Sequence, residues 1–526
     1  MSGDRPRSSG DSSGASSGGR SGSDDRRDDR RDERGRERGA ARAAGRVQRS
    51  AQAPSQRSRH GDAARSAAYD VLRAVDEGDS YANLVLPPLL RERRIEGRDA
   101  AFATELAYGT LRLRGRYDAI VEQAAARELA SIDPPVLDLL RLGAHQLLGM
   151  RVPAHAAVSE TVGLARARAG AGASQFVNAV LRRVAERDLG TWLTTIGDAA
   201  DPGDSDPVAR LAVTQSHPAW VVRALRESLV GHGRGADEVA ALLAADNEAP
   251  RVTLVARPGL VEGADLLAEA GDEATAGAVA PDAVVLRGGD PGRLPAVRSG
   301  AAAVQDEGSQ LVTLALAAAP LDGPDERWLD LCAGPGGKAG LLAALAGRQG
   351  ARLVANEVQP HRARLVEQAL RAAPDGAVEQ VRTGDGRTLG DEEPGAYDRV
   401  LVDAPCTGLG ALRRRPESRW RRTPADLATL GVLQRELLGS ALRAVRPGGV
   451  VAYVTCSPHL AETRLVVTDA VKAAGRAGLA VEVLDARAVV RGVAAGPLDL
   501  PERPDVQLWP HVHGTDAMHL TLLRRL

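Results

Sequence analysis

The stretch that decides the fold is residues 327–346, RWLDLCAGPGGKAGLLAALA. It contains a short apolar strand, a turn with three glycines that ends at Lys338, and the start of an apolar helix. Glycine permits a tight turn and a close approach of the backbone to a ligand, and such passages from strand to helix are typical of nucleotide-binding turns. The segment therefore predicts an α/β domain that binds a ligand.

In the later half of the chain, short apolar runs alternate with segments that have a helical pattern. The runs are RWLDL, RLVANE, DRVLVDAP, GGVVAYVT, AVEVL and AMHLTLL. Buried strands separated by helices indicate a doubly wound, mostly parallel sheet of the Rossmann-like type, which we expect over residues 311–526. Ligands of such sheets bind at the carboxyl ends of the strands, so strand-end residues are the candidate site residues.

Four segments precede this domain. Residues 1–60 are rich in Ser, Gly, Arg and Asp and are expected to be a disordered tail, either without a specific role or as a weak RNA tether. Apolar residues at helical spacing predict an all-α domain over 61–195. Gly, Asp and Pro mark 196–215 as a linker. Alternating patterns over 216–310 predict a small, RRM-like α/β unit.

Composition excludes several classes of protein. The 68 basic and 69 acidic residues give a net charge of -1, which by itself indicates neither a nucleic-acid nor a membrane partner. No apolar run is long enough to span a membrane and the first residues do not form a signal peptide, so we expect a cytoplasmic protein. Three cysteines without a CxxC pair argue against disulfides and against a metal site. The two histidines of the helical domain, His145 and His155, are expected to pack or face RNA.

Charged residues follow the predicted strands. Glu357, Asp385 and Asp403 each stand at a strand end, and Glu357, 27 residues past Asp330, is placed to accept hydrogen bonds from ribose hydroxyls. The turn reads GPGGK and not GxGxxG, which favours S-adenosylmethionine over a dinucleotide. Only two of the 68 basic residues are lysines, so Lys338 in this turn is expected to meet a carboxylate.

Two cysteines also follow strands, Cys406 in DAPC and Cys456 in TCSP. An isolated cysteine is most often a small buried apolar residue. Two thiols at consecutive strand ends beside a cofactor turn favour chemistry instead, and we expect them to face the same crevice. Methylation of a pyrimidine at C5 requires a thiolate that adds at C6, because covalent addition makes C5 nucleophilic.

The motifs DLCAGPGGK, DAPCTGLGALRRRPESRW and VTCSP resemble those of the RNA cytosine-C5 methyltransferases of the NOL1/NOP2/Sun family. The helical segments RLGAHQLLGMRVPAHAAVSETVGLAR and FVNAVLRR resemble the NusB-like RNA-binding domain. The similarity runs from about residue 63 to the C-terminus. Two departures are visible, Glu357 where an Asp is common and Ala339 where a hydroxyl residue usually follows the lysine.

The resemblance implies transfer of a methyl group from S-adenosylmethionine to C5 of a cytosine in 16S ribosomal RNA. It implies Cys456 as the nucleophile, Cys406 in product release, and Asp403 near the base and the cofactor. The positions that match cofactor contacts are Cys332, Ala333, Gly334, Pro335, Gly336, Gly337, Lys338, Glu357, Asp385 and Asp403. A monomer with RNA as its partner, without metal or membrane, is expected.

An arginine-rich run follows the first thiol. Its members are Arg413, Arg414, Arg415, Arg419, Trp420, Arg421 and Arg422. Charge runs are usually solvated, but the position beside Cys406 favours contact with RNA phosphates, with Trp420 stacking on a base. Alternatives that stay open are the same chemistry on tRNA or another rRNA site, a DNA cytosine methyltransferase, and a non-catalytic NusB-type RNA-binding protein.

Overall fold

The computed structural model describes residues 62–78 and 80–526. The predicted disordered tail, residues 1–60, lies outside the described residues. Within the described part of the chain, none of the helices is long and apolar enough to cross a lipid bilayer.

An all-α domain comes first, as predicted. Its helices are α1 (Ala63–Gly78), α2 (Ala82–Glu92), α3 (Gly97–Arg112), α4 (Arg114–Ala125), α5 (Pro134–Leu148), α6 (Ala154–Val184) and α7 (Leu189–Ala200). The apolar faces of these helices bury one common core, which includes Leu72, Leu106, Leu139 and Leu181. Asp133 precedes two prolines at the start of α5, where the missing N–H groups of proline cost nothing.

The predicted linker, 196–215, is wrong in its bounds. Its first residues complete α7, whose Trp192 and Ile196 belong to the helical core. A further helix, α8 (Pro207–Thr214), begins where Asp206 accepts hydrogen bonds from the N–H groups of Val208 and Ala209. Only the short segment between α7 and α8 connects the two units.

The small unit carries two more helices than its strand pattern suggests. α9 (Ala219–Gly231) and α10 (Val239–Asp246) precede the strands β1 (Val252–Ala256), β2 (Ala274–Ala276), β3 (Ala283–Leu286) and β4 (Ala302–Val304), with α11 (Gly263–Ala270) and α12 (Pro295–Ser299) between them. The strands form an antiparallel sheet in the order β2-β3-β1-β4. α9 and α10 pack against residues of the C-terminal domain, among them Leu409, Leu412 and Trp509.

The C-terminal domain is built on one large mixed sheet. Its strands are β5 (Arg327–Asp330), β6 (Arg352–Glu357), β7 (Val378–Thr383), β8 (Tyr397–Asp403), β9 (Val445–Thr455), β10 (Val481–Val483), β11 (Val506–Gln507) and β12 (His519–Arg525). The order is β10-β12-β9-β8-β5-β6-β7, with β11 paired to β12. The pairs from β9 to β7 are parallel, whereas β12 runs antiparallel to β9. The doubly wound sheet is therefore confirmed.

Helices cover both faces of this sheet. They are α13 (Glu307–Ala318), α14 (Gly337–Gln349), α15 (Pro360–Leu370), α16 (Gly386–Glu392), α17 (Ser418–Arg421), α18 (Pro424–Ala444), α19 (Arg464–Arg476), α20 (Ala486–Val493) and α21 (Pro510–His513). Successive residues of a strand face opposite layers, so that Trp328 belongs to one core and Leu329 to the other. The carboxyl ends of the strands are not covered by the two cores, and a crevice lies there.

Arg419 on α17 is fully buried and ties the C-terminal domain to the two units before it. One of its terminal nitrogens donates to the carbonyls of Arg112 and Ser216 and to Asn247 Oδ1, and the other donates to the Asp246 carbonyl. Burial lowers the pKa of Arg419 to about 10, so it stays charged near neutral pH. The prediction that Arg419 contacts RNA phosphate is wrong, because its guanidinium is occupied inside the protein.

Replacing Arg419 with leucine is expected to destabilise the protein by about 3 kcal/mol, because several buried acceptors lose their donor. The measurement is the urea midpoint of unfolding. The control is Arg422→Leu, which removes a half-exposed ion pair with Asp426 at 3.7 Å and should cost less than about 0.5 kcal/mol. Equal midpoints for the two variants would contradict the role assigned to Arg419.

Candidate active site at the carboxyl ends of the central strands

The turn after β5 has glycines where only glycine fits. Gly336 has a φ of +110°, and a Cβ at this position would lie 2.5 Å from the Cβ of Ala369. A Cβ at Gly334 would lie 2.1 Å from Glu357 Oε2, which instead accepts a hydrogen bond from the Gly334 N–H at 3.1 Å. The turn is therefore held against the end of β6 by a bond to the backbone.

Lys338 and Asp403 form an ion pair at the centre of the crevice, with 2.8 Å between Nζ and Oδ2. Burial alone would lower the pKa of Lys338, but the charge of Asp403 and the hydrogen bond to it raise the pKa above its ordinary value. The prediction that Lys338 meets a carboxylate is confirmed. Burial, followed by the charge of Asp403, raises the pKa of Asp330 to about 8, so Asp330 is mostly protonated at neutral pH.

The two thiols meet across the crevice, as expected. Cys406 Sγ and Cys456 Sγ lie 3.3 Å apart, although the residues are 50 positions apart in sequence. The hydrogen bond from Cys406 lowers the pKa of Cys456, burial and Asp403 oppose this, and Lys338 and Arg415 lower it further. The same hydrogen bond and burial raise the pKa of Cys406 well above its ordinary value. Cys456 is therefore the more acidic thiol of the pair, because Lys338 and Arg415 favour its thiolate whereas Glu462 disfavours the thiolate of Cys406.

The third cysteine lies apart from this pair in its chemistry. Burial and the neighbouring carboxylates raise the pKa of Cys332 well above its ordinary value. A protonated thiol in the turn is a weak nucleophile. Cys332 is therefore not a candidate nucleophile.

Glu462 is a buried carboxylate that sequence reasoning missed. Its Oε1 accepts hydrogen bonds from the Thr407 N–H at 2.7 Å and from Gln434 Nε2 at 3.2 Å, and its Oε2 accepts from the Thr407 hydroxyl. That hydroxyl lies 3.2 Å from the hydroxyl of Ser457. The residues after the two thiols therefore meet through their hydroxyls, and Glu462 holds the Thr407 side of this contact. A lone glutamate six residues after Cys456 carried no spacing signal that could have shown this.

The arginine-rich run does not act as one surface. Arg413 and Arg414 both form ion pairs with Asp306 and Asp516 at 2.6–3.1 Å, and Arg413 is buried. The expectation that these two bind RNA is wrong in this structure, because carboxylates of the chain already neutralise them. Their ion pairs fix the loop after Cys406 to the start of α13 and to the segment before β12.

Arg415 is the exposed member of the run, and its charge acts on Cys456. Its guanidinium and that of Arg421 lie 5.6 and 5.0 Å from the ring centre of Tyr81 in the helical domain. Arg421 also donates to the carbonyls of Val75 and Ser80. RNA contact by Arg415, Trp420, Arg421 and Arg422 stays a prediction.

The strand ends fit a cofactor that has ribose hydroxyls. Glu357 Oε1 accepts from the Gln359 N–H at 2.9 Å, and each carboxylate oxygen still has acceptor capacity. A Cβ at Gly337 would meet no atom within 4 Å, so the start of α14 is open on that side. Asp385 caps α16 and bonds the side chain of Arg387 at 2.6–3.0 Å. Glu357, Asp385, Asp403, Lys338 and the turn residues are the groups that could hold S-adenosylmethionine.

The fold and the site together define a Rossmann-like methyltransferase domain joined to a NusB-like helical domain. Residues 316–524 match the family described as 16S rRNA methyltransferase RsmB/F, and residues 62–186 match the NusB family. The chain belongs to the RsmB/F methyltransferase family.

Curated relatives support this assignment, and a solved structure shares the fold. A candidate methyltransferase of Mycobacterium tuberculosis, Rv1407, is 54% identical over 470 residues, which are 89% of this chain and 98% of the relative. Ribosomal RNA small subunit methyltransferase B of Pseudomonas putida is 35% identical over 409 residues, 77% of this chain and 87% of the relative. The crystal structure of PH0851 covers 88% of this chain and 98% of its own, with a TM-score of 0.69 and 21% identity, and shares the fold.

The two lysines of the chain provide a matched test of the thiol electrostatics. Lys338→Met removes the positive charge that lowers the pKa of Cys456, so alkylation of Cys456 by iodoacetamide at pH 7.5 should slow by roughly threefold to tenfold and recover at higher pH. Lys472→Met, on the exposed side of α19, should leave the rate unchanged. Peptide mass spectrometry assigns the alkylated residue. Faster alkylation of Cys406 or Cys332 than of Cys456 in the unmodified chain would contradict the assignment.

Proposed function

We propose that the protein transfers a methyl group from S-adenosylmethionine to C5 of a cytosine in 16S ribosomal RNA. The observation that carries the proposal is the thiol pair, in which Cys456 has a lowered pKa and Cys406 a raised one beside the Lys338–Asp403 ion pair. A pyrimidine C5 is a methyl acceptor that needs a thiolate in addition to the methyl donor, because covalent addition at C6 makes C5 nucleophilic.

Cys456 begins the reaction as the nucleophile. Its thiolate adds to C6 of the cytosine, and the electron pair of the C5–C6 double bond becomes available at C5. Bound S-adenosylmethionine supplies the methyl group that C5 takes up. A base then removes the proton from C5, the double bond forms again, and the C6–S bond breaks with its electron pair returning to Cys456.

Cys406 and Asp403 support these steps. A thiol with a raised pKa beside the nucleophile becomes a strong base once it has lost its proton, which suits Cys406 to product release. Asp403 uses Oδ2 for Lys338, and Oδ1 is left to accept from the amino group of the cytosine. Glu462 keeps Thr407, the residue after Cys406, in place and acts as a positioning residue.

The RNA target is inferred from the pairing of the two domains and from the names of the family and of a relative. The family description names 16S rRNA, and the relative from Pseudomonas putida is named for the small ribosomal subunit. The target cytosine must be single-stranded or flipped out, since a stacked base does not expose C6 to a thiol. The same chemistry on tRNA or on another rRNA site is the second candidate. A non-catalytic RNA-binding role would leave the paired thiols without a purpose.

Substituting each thiol in turn should separate their roles. Cys456→Ser should lose methylation of a 16S rRNA transcript by at least about a thousandfold, since a hydroxyl is a far weaker nucleophile. Cys406→Ser should accumulate a covalent protein–RNA adduct that survives denaturing electrophoresis. Cys332→Ser is the control and should form no adduct. Normal methylation by Cys456→Ser, or adduct formation by Cys456→Ser and not by Cys406→Ser, would contradict the proposal.

A further inference from the structure

Three side chains of types that commonly bind metal ions lie close together, next to the loop that carries Cys456. His232 follows α9, Asp505 precedes β11, and His519 begins β12. One nitrogen or oxygen atom from each lies within 4.8 Å of the other two. The distance from His232 Nδ1 to Asp505 Oδ2 is 3.5 Å. The residues span 287 positions of the sequence, so no spacing pattern pointed to them.

One polar atom of each side chain has no hydrogen-bond partner outside the cluster. Among the described residues these buried atoms are His232 Nδ1, Asp505 Oδ2 and His519 Nδ1. The two histidine side chains are almost completely inaccessible, with 2% and 0% of their residue surface exposed. Buried polar atoms are normally paired, so three such atoms in one cluster favour a common partner.

The remaining nitrogen or oxygen atom of each side chain has a polar neighbour that fixes the orientation of the side chain. His232 Nε2 lies 3.0 Å from the Pro458 carbonyl, so this nitrogen carries the proton and Nδ1 has a free lone pair. His519 Nε2 lies 3.1 Å from the Thr521 hydroxyl. Asp505 Oδ1 accepts two hydrogen bonds from Arg503 at 3.1 and 3.2 Å. Metal ligands are typically oriented by such contacts on their outer atoms.

We propose that His232, Asp505 and His519 bind a divalent transition-metal ion, with Zn²⁺ as the ion that two imidazoles and one carboxylate suit best. A bound ion would lie about 2.0–2.2 Å from each of the three ligand atoms, and water would complete its tetrahedral coordination. The proposal of a metal site does not rest on the proposed methyl transfer. It departs from the sequence-based expectation that the protein has no metal.

A bound ion would hold the loop after β9, which carries Cys456, in place. The imidazole of His232 bonds the carbonyl of Pro458, two residues after Cys456, and His519 pairs with Thr455 in the sheet. An ion held by both histidines therefore joins α9, β12 and the loop after β9. The competing account is a direct contact between His232 Nδ1 and Asp505 Oδ2, 3.5 Å apart, which needs no metal.

Cobalt titration distinguishes the two accounts. The untagged full-length chain with Cys406→Ser and Cys456→Ser is stripped with a chelator and titrated with Co²⁺, because the adjacent thiols could themselves bind the ion. We expect one equivalent of Co²⁺, with visible ligand-field absorption and no thiolate charge-transfer band, and displacement by Zn²⁺. Binding of less than about a tenth of an equivalent would overturn the proposal.

Ligand variants in the same background locate the site. His519→Gln and Asp505→Asn should each weaken Co²⁺ binding at least roughly tenfold. His511→Gln is the matched control, since His511 bonds Glu238 at 3.0 Å outside the cluster, and it should bind as the parent does. Circular dichroism checks that each variant is folded. If His519→Gln does not fold, Co²⁺ binding by Asp505→Asn alone tests the site. Unchanged binding by Asp505→Asn would overturn the assignment.

Discussion

The active site depends on the parallel pairing of β8 with β9. Their register places Asp403 beside Val454, so both strands end at the same edge of the sheet. The residues that follow, Cys406 and Cys456, are thereby brought together with 3.3 Å between their sulfur atoms. A shift of either strand by two residues would move one thiol by about 6.6 Å along the strand, which would separate the pair. The thiol chemistry therefore rests on backbone hydrogen bonds within the sheet.

Electrostatics then makes two identical thiols different. Cys456 lies toward Lys338 and Arg415, whereas Cys406 is influenced by the buried carboxylate of Glu462. The charges of Lys338 and Arg415 outweigh the opposing charge of Asp403 only at Cys456, so the pKa of Cys456 is lowered and that of Cys406 is raised. The near-zero net charge of the chain conceals this local order, and most of the arginines of the run after Cys406 are used inside the protein.

Features carried by short apolar runs and by strand ends could be predicted from the sequence. β5, β6, β8 and β9 have continuous apolar runs because both faces are buried, and the residues after them are the site residues. The strand end at Asp385 was expected, but the residues of β7 were not identified, since VEQVRT at the sheet edge is largely exposed and has no apolar run. The helix α8 was missed because its Asp and Pro residues resemble a linker.

Contacts between distant segments could not be predicted. Arg419 and Arg413 look like surface charges in sequence, and only the fold shows the buried acceptors that they meet. Glu462 and the cluster of His232, Asp505 and His519 likewise depend on segments that the chain brings together from far apart. Single residues without a spacing pattern carry no signal of this kind.

The central claim is that the chain methylates C5 of a cytosine in 16S rRNA. Bisulfite sequencing of ribosomal RNA from a strain that lacks the gene tests it most directly, with the gene returned on a plasmid as the control. The account predicts that one cytosine of 16S rRNA loses its protection from bisulfite in the deletion strain and regains it on complementation. An unchanged pattern in 16S rRNA would contradict the claim.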